Sequence, residues 1–512
     1  MCERQEQEDP GVEASESHRL EQLGRERPKC FATWYSELGF CFSVVMSQIL
    51  SEYYISGFNV LLPTLIVDLQ LPETSSIWPS TALSLAVTST LLIFGRLADM
   101  FGAYTLYVTG FAWLTVTSLV LGFSQSWLML VIFRALQGLA LGAYLPSGVM
   151  LLGSIYRPGP RKNIVFSVYG ACAALGFYAG IFFSGLCGQF LGWQWYFYIG
   201  AILSAITFIS SLVSIPSDYA KTRKLGRRMD WLGAIFLVPG LVLCSFAIAY
   251  SAQAPHQWKT PYIPVCLVLG IILLGVAVYI EGWIADAPLL PSKLFAIKSM
   301  KPLLLSLIFL YGCLGVFLLY AALYMENIMG ANPLQVVAWT TPMAAGGIII
   351  SVVGGLVLHK ISGTLLMVMS CLGFMISGLL FAVIPIGGNY WAFVFPAMIG
   401  ATIGIDISFN VTNIFITTNI STKEQGAAGA LINSTLHLGI TIMLGFADII
   451  QTNTLHNGLS SSYKAVFWFQ LGLSGFALVI MVLFVKIDRA KSDLTLDERV
   501  AQRALEDSSH NL

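Results

Sequence analysis

Charge is what this chain has least of. Only 11% of its 512 residues are Asp, Glu, Lys or Arg, 27 acidic against 27 basic, so the formal net charge is zero. Without a basic excess nothing points to nucleic acid. Histidine is scarce as well: of the six (18, 256, 359, 437, 456, 510) only His437 falls in an apolar run. A metal cluster or a His-based catalytic dyad therefore cannot be assembled, and neither an enzyme nor a cofactor is expected. The nine cysteines show no paired spacing and sit mostly in apolar runs, as small buried residues rather than disulfides or metal ligands. There is no Gly-x-x-x-x-Gly-Lys-Ser/Thr phosphate loop, so no nucleotide is expected. No leader precedes the first apolar run, which is expected to serve as its own insertion signal. A non-transporting membrane sensor is the reading from another class. It would normally bring a folded cytosolic domain or long tail, and the C-terminal tail here has about 25 residues.

Hydrophobic residues, in contrast, make up 56% of the chain, and mean hydropathy is +0.76. Those values belong to an integral membrane protein. With about 20 apolar residues per crossing, fourteen spans fall near 38–64, 76–96, 103–123, 127–152, 163–189, 194–215, 230–251, 261–283, 302–326, 335–358, 364–385, 391–417, 427–451 and 464–486. The positive-inside rule tests this layout independently. With both termini cytosolic, 24 of the 27 Lys and Arg lie on the cytosolic side; Lys259 and Lys464 lie outside and Arg134 lies within a span. An odd number of spans would scramble that asymmetry.

Two polar joints look alike. Gly95-Arg96-Leu97-Ala98-Asp99-Met100-Phe101-Gly102 links spans two and three, and Gly354 to Gly363 links spans ten and eleven. Repeated halves with a site between them are a common build for secondary transporters. The expected organisation is a cytosolic disordered tail (1–36), a six-helix bundle (37–215), a basic loop with two inserted helices (216–301), a second six-helix bundle (302–487) and a cytosolic tail (488–512). At the first joint, Gly95 and Gly102 permit a tight turn while Arg96 and Asp99 can bond to each other, which suits a gate.

Ionisable groups inside the spans are expensive and mark candidate sites. In span one Gln48, Glu52 and Asn59 share a face, since offsets of 4 and 11 residues return to within about 40°. Span four holds Arg134 and Gln137. Counted at about 1.5 Å per residue from the outer ends of their spans, Glu52 and Arg134 lie at similar depth. They are expected to pair in one conformation and part in another, so that the carboxyl can load and unload a proton. Span twelve carries Asp406, Asn410 and Asn413 at i, i+4 and i+7, and span thirteen carries Asn433, His437, Thr441 and Asp448 within about 80°. Asp448 is expected to be a solvated end residue. Tyr311, Tyr320 and Tyr324 lie in span nine, and Tyr320 is counted with the cavity.

The joint at Gly95–Gly102 resembles the signature between the second and third helices of the major facilitator superfamily, although Ala103, Tyr104 and Thr105 stand where basic residues are usual. Arg134, Gln137, Gly138 and Gly142 resemble the family's fourth-helix motif, associated in proton-coupled exporters with proton transfer. Gly170, Gly176, Gly180, Gly185 and Gly188 resemble the fifth-helix antiporter motif, with Ile181 in place of its proline. Asn59-Val60-Leu61-Leu62-Pro63, Asp230-Trp231-Leu232-Gly233, Glu281 and Pro288-Leu289-Leu290-Pro291 are similar to the fourteen-span drug:proton antiporter branch, of the fungal aminotriazole-resistance type. Where that branch commonly has Asp, nine residues before the first-helix proline, this chain has Tyr54, with Glu52 two positions earlier. Either Glu52 takes over the carboxylate's role, or coupling has moved to Asp406, or the protein is uncoupled.

The resemblance implies an all-α membrane protein of the major facilitator fold, with fourteen transmembrane helices as two six-helix halves plus two inserted central helices. It implies a cavity lined by spans one, four, nine and twelve. The function to expect is proton-coupled export of a drug, toxin or metabolite by a monomer in the plasma membrane, its partners being protons, a small-molecule substrate and the lipid bilayer. Related fourteen-span fungal proteins associated with borate or low-affinity ammonium movement supply the alternative.

Overall fold

Among the described residues of the computed structural model, fourteen helices are long and apolar enough to cross a membrane. They are α1 (Trp34–Asp68), α2 (Trp78–Phe101), α3 (Ala103–Gly122), α4 (Trp127–Ile155), α5 (Pro160–Leu186), α6 (Gln194–Ser214), α7 (Trp231–Ser251), α8 (Tyr262–Tyr279), α9 (Met300–Asn327), α10 (Pro333–Val357), α11 (Gly363–Val383), α12 (Phe395–Asn419), α13 (Gln425–Thr454) and α14 (Leu459–Phe484). The structure describes residues 26–28, 30–70, 78–156, 160–216, 229–252, 254, 256–285, 288–289, 292–357, 361–419 and 425–488. The acidic N-terminal run, the basic loop at 221–228, part of the second joint and the last charged run lie outside them.

Polar residues start several helices where the sequence places a break. Thr33, Ser126, Asp230 and Ser362 each accept a hydrogen bond from a backbone N–H in the first turn of the helix that follows. The first joint is tighter than its composition suggests. Helix α2 runs on through Phe101, so Arg96 and Asp99 are helical, 3.6 Å apart, and Gly102 alone separates α2 from α3. Gly102 has φ +94°, a conformation that only glycine adopts without strain.

The packing repeats. In the first bundle α1 lies on α5 and α6, α2 on α4, and α3 on α4 and α6. One repeat later α9 lies on α13 and α14, α10 on α12, and α11 on α12 and α14. Across the seam, α2 meets α13, α5 meets α10, and α1 meets α9. Exchanging the halves maps the first two contacts onto each other, as a two-fold relation between bundles requires. Helices α7 and α8 stand outside this scheme. Helix α7 follows α2, with Phe246 and Tyr250 beside Trp78, and touches the second half where Ile248 and Ala249 meet Gly445 of α13.

Between helices in lipid, close backbone approach replaces the hydrophobic drive available in water. The glycines of α5 show it on two sides. A Cβ on Gly176 would sit 2.5 Å from the Ile49 Cα, and one on Gly180 would sit 2.6 Å from the Tyr53 carbonyl oxygen, both in α1. Gly185 and Gly188 approach Pro333 of α10. Gly180→Ala is therefore expected to force α1 and α5 apart and to lower stability by about 1–3 kcal/mol, read as a fall in the thermal unfolding midpoint in detergent. An unmoved midpoint would mean that α5 yields at no cost.

Candidate functional site

The depth of Glu52 and Asp406 is set by helices that cannot slide. On α1, the Ser56 hydroxyl donates to the Glu52 carbonyl at 2.8 Å and to Phe177 of α5 at 2.7 Å, fixing the turn that carries Glu52. On α12, Gly400 and Gly404 pack on the α11 backbone and ring at Gly373 and Phe374, and Thr402 donates to Met343 of α10 at 3.1 Å. Asp406 then lies over Gly347 of α10, so close that a Cβ there would be 3.0 Å from Oδ2; Ala174 of α5 borders the same spot at 3.2 Å. Glu52 and Asp406, one from each half, come within electrostatic reach of each other. Tyr144 of α4 and Tyr169 of α5 lie within electrostatic reach of the Glu52 carboxyl. Both acids are half-buried, and among the described residues neither has a basic partner at ion-pair distance.

Just beyond this pair the seam is shut. Ser56, Val60, Ile181, Phe317, Met325 and Met343 border a remnant cavity of about 20 Å³, room for roughly one water. Its two hydroxyl-bearing residues, Ser56 and Thr340, already donate to helix carbonyls, which leaves the plug apolar. Farther out on this face, Gln189, in the turn that follows α5, accepts from the Leu334 N–H of α10 at 3.3 Å. On the face that carries the termini, Gly95 sits between Pro146 of its own half and Ala430 of α13, with contacts of 3.7 and 3.8 Å to a Cβ built there. The joint expected to act as a gate thus lies against the opposite bundle.

Residues 44–444 match the family described as Major Facilitator Superfamily. The chain belongs to it. A protein of this superfamily is a membrane transporter and not an enzyme. Among relatives, the chain is 32% identical to the low affinity ammonium transporter of Saccharomyces cerevisiae, over 82% of this chain and 83% of that protein. It is 29% identical to the aminotriazole resistance protein of the same yeast, over 93% and 90% of the two chains, and 29% identical to efflux pump terJ of Aspergillus terreus, over 92% of each. Its fold is similar to that of a solved peptide transporter, POT (TM-score 0.64, 15% identity, 91% of this chain and 97% of that one).

Other candidate residues of this superfamily member sit apart from the carboxylate pair. Arg134 is 1% exposed and does not meet Glu52. Its Nε donates to Pro79 of α2 at 3.1 Å, NH1 donates to Tyr54 of α1 at 3.1 Å and to the Gln137 side chain at 2.9 Å, and the guanidinium lies 4.0 Å from the Phe58 ring centroid. Gln137 passes the chain on to Ser118 of α3 at 2.9 Å. Equal depth gave no azimuth, and Arg134 turns into its own bundle. Gln48 is buried, and Asn59 is held by Ser80 of α2 at 3.2 Å. Tyr320 also faces its own half, edge-on to Tyr463 of α14 at 5.9 Å. Asp448 is 6% exposed beside Tyr320, not a solvated helix end. His437 is buried with no hydrogen-bond partner at Nδ1 among the described residues, Asn410 and Asn433 are half-buried, and Asn413 is exposed. Tyr144, Tyr169 and Gly347, which do border the pair, had no signal in a single-helix pattern.

Proposed function

We propose that this transporter exports a small molecule across the plasma membrane by alternating access, in exchange for protons carried by Glu52 and Asp406. Both termini lie in the cytosol in this reading. The observation that carries it is that Glu52 and Asp406, one acid from each half, lie within electrostatic reach of each other, with no basic partner at ion-pair distance among the described residues. Two negative charges across a seam in apolar surroundings repel strongly. A proton, or a cationic group on the substrate, removes the repulsion and lets the halves close. Losing it favours separation, so occupancy and conformation become linked. Arg134 and Gln137 hold the wall from which Glu52 projects, while Gly95, Arg96, Asp99 and Gly102 form the cytosolic gate. Asn410, Asn433 and His437 lie on the helices that border the path.

A second reading draws on the kinship with the yeast low affinity ammonium transporter. An ammonium ion, itself a small cation with four donors, suits a pair of carboxylates. The test is solute flux in sealed vesicles containing the purified protein, with an imposed pH gradient and a panel of aminotriazole, ammonium and borate. Under the export reading, uphill flux of an organic solute follows the gradient and vanishes with a protonophore. Saturable flux of ammonium alone, indifferent to the protonophore, would replace export with the second reading.

A further inference from the structure

We infer that Glu326 is a proton-binding site at the outer mouth, which takes a proton from the external medium before the outer seam can close. This rests on the alternating-access reading above. Glu326 lies in the last turn of α9, directly after Met325, a wall residue of the apolar plug, and one turn beyond Ala322, another. Ser56, one turn beyond Glu52, borders the same plug from α1. The closed seam therefore has an acid on each side, Glu52 within and Glu326 without.

Its position does nothing to hold a negative charge. The C-terminal end of a helix carries the negative end of the helix dipole, where cations rather than carboxylates are favoured. Glu326 is half-buried, and its Oε1 is buried with no hydrogen-bond partner among the described residues. The titratable or charged side chains on elements packed around the outer part of α9 are Asp68 of α1, Asp448 of α13, Tyr463 and Lys464 of α14, and Tyr390 before α12. Helix α10 brings none, and α9 adds Tyr320 and Tyr324. Among the described residues none of these bonds to Glu326; the Tyr463 hydroxyl takes its hydrogen bond from Asn327 at 3.1 Å. An acid so placed is tolerated when neutral and is costly when ionised and sealed from water. When the outer seam opens, water reaches the carboxylate and it gives up its proton to the outer medium. Closure requires the reverse transfer, from hydronium to the carboxylate.

The experiment reads outer-seam opening directly. Thr340→Cys places a thiol in the plug, and a membrane-impermeant maleimide added outside labels it only when the seam opens; the unsubstituted protein is the blank. In the Thr340→Cys protein, labelling should rise at least severalfold as external pH goes from 5 to 8, at fixed internal pH. Adding Glu326→Gln should flatten that rise, with labelling low throughout, and Glu326→Asp should restore it. The same rise in the Gln variant would overturn the inference. Absence of labelling at every pH, with or without substrate, would defeat alternating access itself, and the inference with it. A steep rise without Glu326 would leave alternating access standing.

Discussion

Glu52→Gln and Asp406→Asn should each reduce pH-driven uphill flux to the level of protein-free vesicles, while leaving folded protein intact. Each change keeps the shape of the side chain, and neither group has an ion-pair partner among the described residues to be orphaned. Removing an ionisable group from apolar surroundings costs no stability, so the thermal midpoint should stay the same or rise. Exchange of labelled for unlabelled substrate without a gradient should persist, because exchange needs a site but no net proton movement. Because the two acids act on each other across the seam, the double variant should lose no more than either single one, a non-additivity expected of groups in one unit. Gradient-driven accumulation that survives in both single variants would separate the pair from coupling. Loss in one alone would assign the proton to that residue and leave the other as wall.

The sequence alone carried the architecture because the bilayer imposes it. A fixed hydrocarbon thickness sets span length, and the burial of every backbone polar group leaves helix as the available form. The Lys and Arg distribution then counts spans by parity. Glycines were legible as close-contact residues, but not that α5 divides them, Gly176 and Gly180 toward α1 and Gly185 toward α10. Periodicity locates residues around one helix axis and says nothing of how that axis is turned in the bundle. Glu52 and Asp406 were found as buried charges on shared faces, yet their apposition depends on the relative rotation of α1 and α12. Depth alone gives no direction, and in this conformation Tyr320 and Arg134 each turn into their own bundle.

The polar groups inside the membrane thus divide by what satisfies them. Arg134, Gln137 and Ser118 form a hydrogen-bonded chain within the first bundle, in which Arg134 donates to Pro79, Tyr54 and Gln137 and Gln137 donates to Ser118. Glu52 and Asp406 project from opposite bundles with no such closure. Satisfied networks rigidify a wall, whereas unsatisfied ionisable groups at an interface respond to what enters it. Under the proposed alternating access, that contrast assigns rigidity to the bundles and switching to the seam.

It also yields an expectation for Arg134 that separates support from proton transfer. Arg134→Leu strips the donor from the Gln137 amide oxygen, whereas the Pro79 and Tyr54 carbonyls each lie within a helix where an intrahelical donor is available. One orphaned buried acceptor costs about 1–3 kcal/mol, offset in part by no longer burying a guanidinium, so a net loss of roughly 1–2 kcal/mol is expected. Lysine should rescue poorly, since a point ammonium cannot reproduce the planar fork that reaches α1, α2 and Gln137 together. The folded fraction of Arg134→Leu, isolated by size exclusion, should transport more slowly with the external pH profile unchanged, because the acids at the seam are untouched. Arg134→Gln offers the decisive contrast. If that variant melts like the parent protein yet loses pH-driven flux, the guanidinium belongs to the proton path rather than to the wall. A lower midpoint with a preserved pH profile fixes Arg134 as the residue that positions α1 and, through it, Glu52.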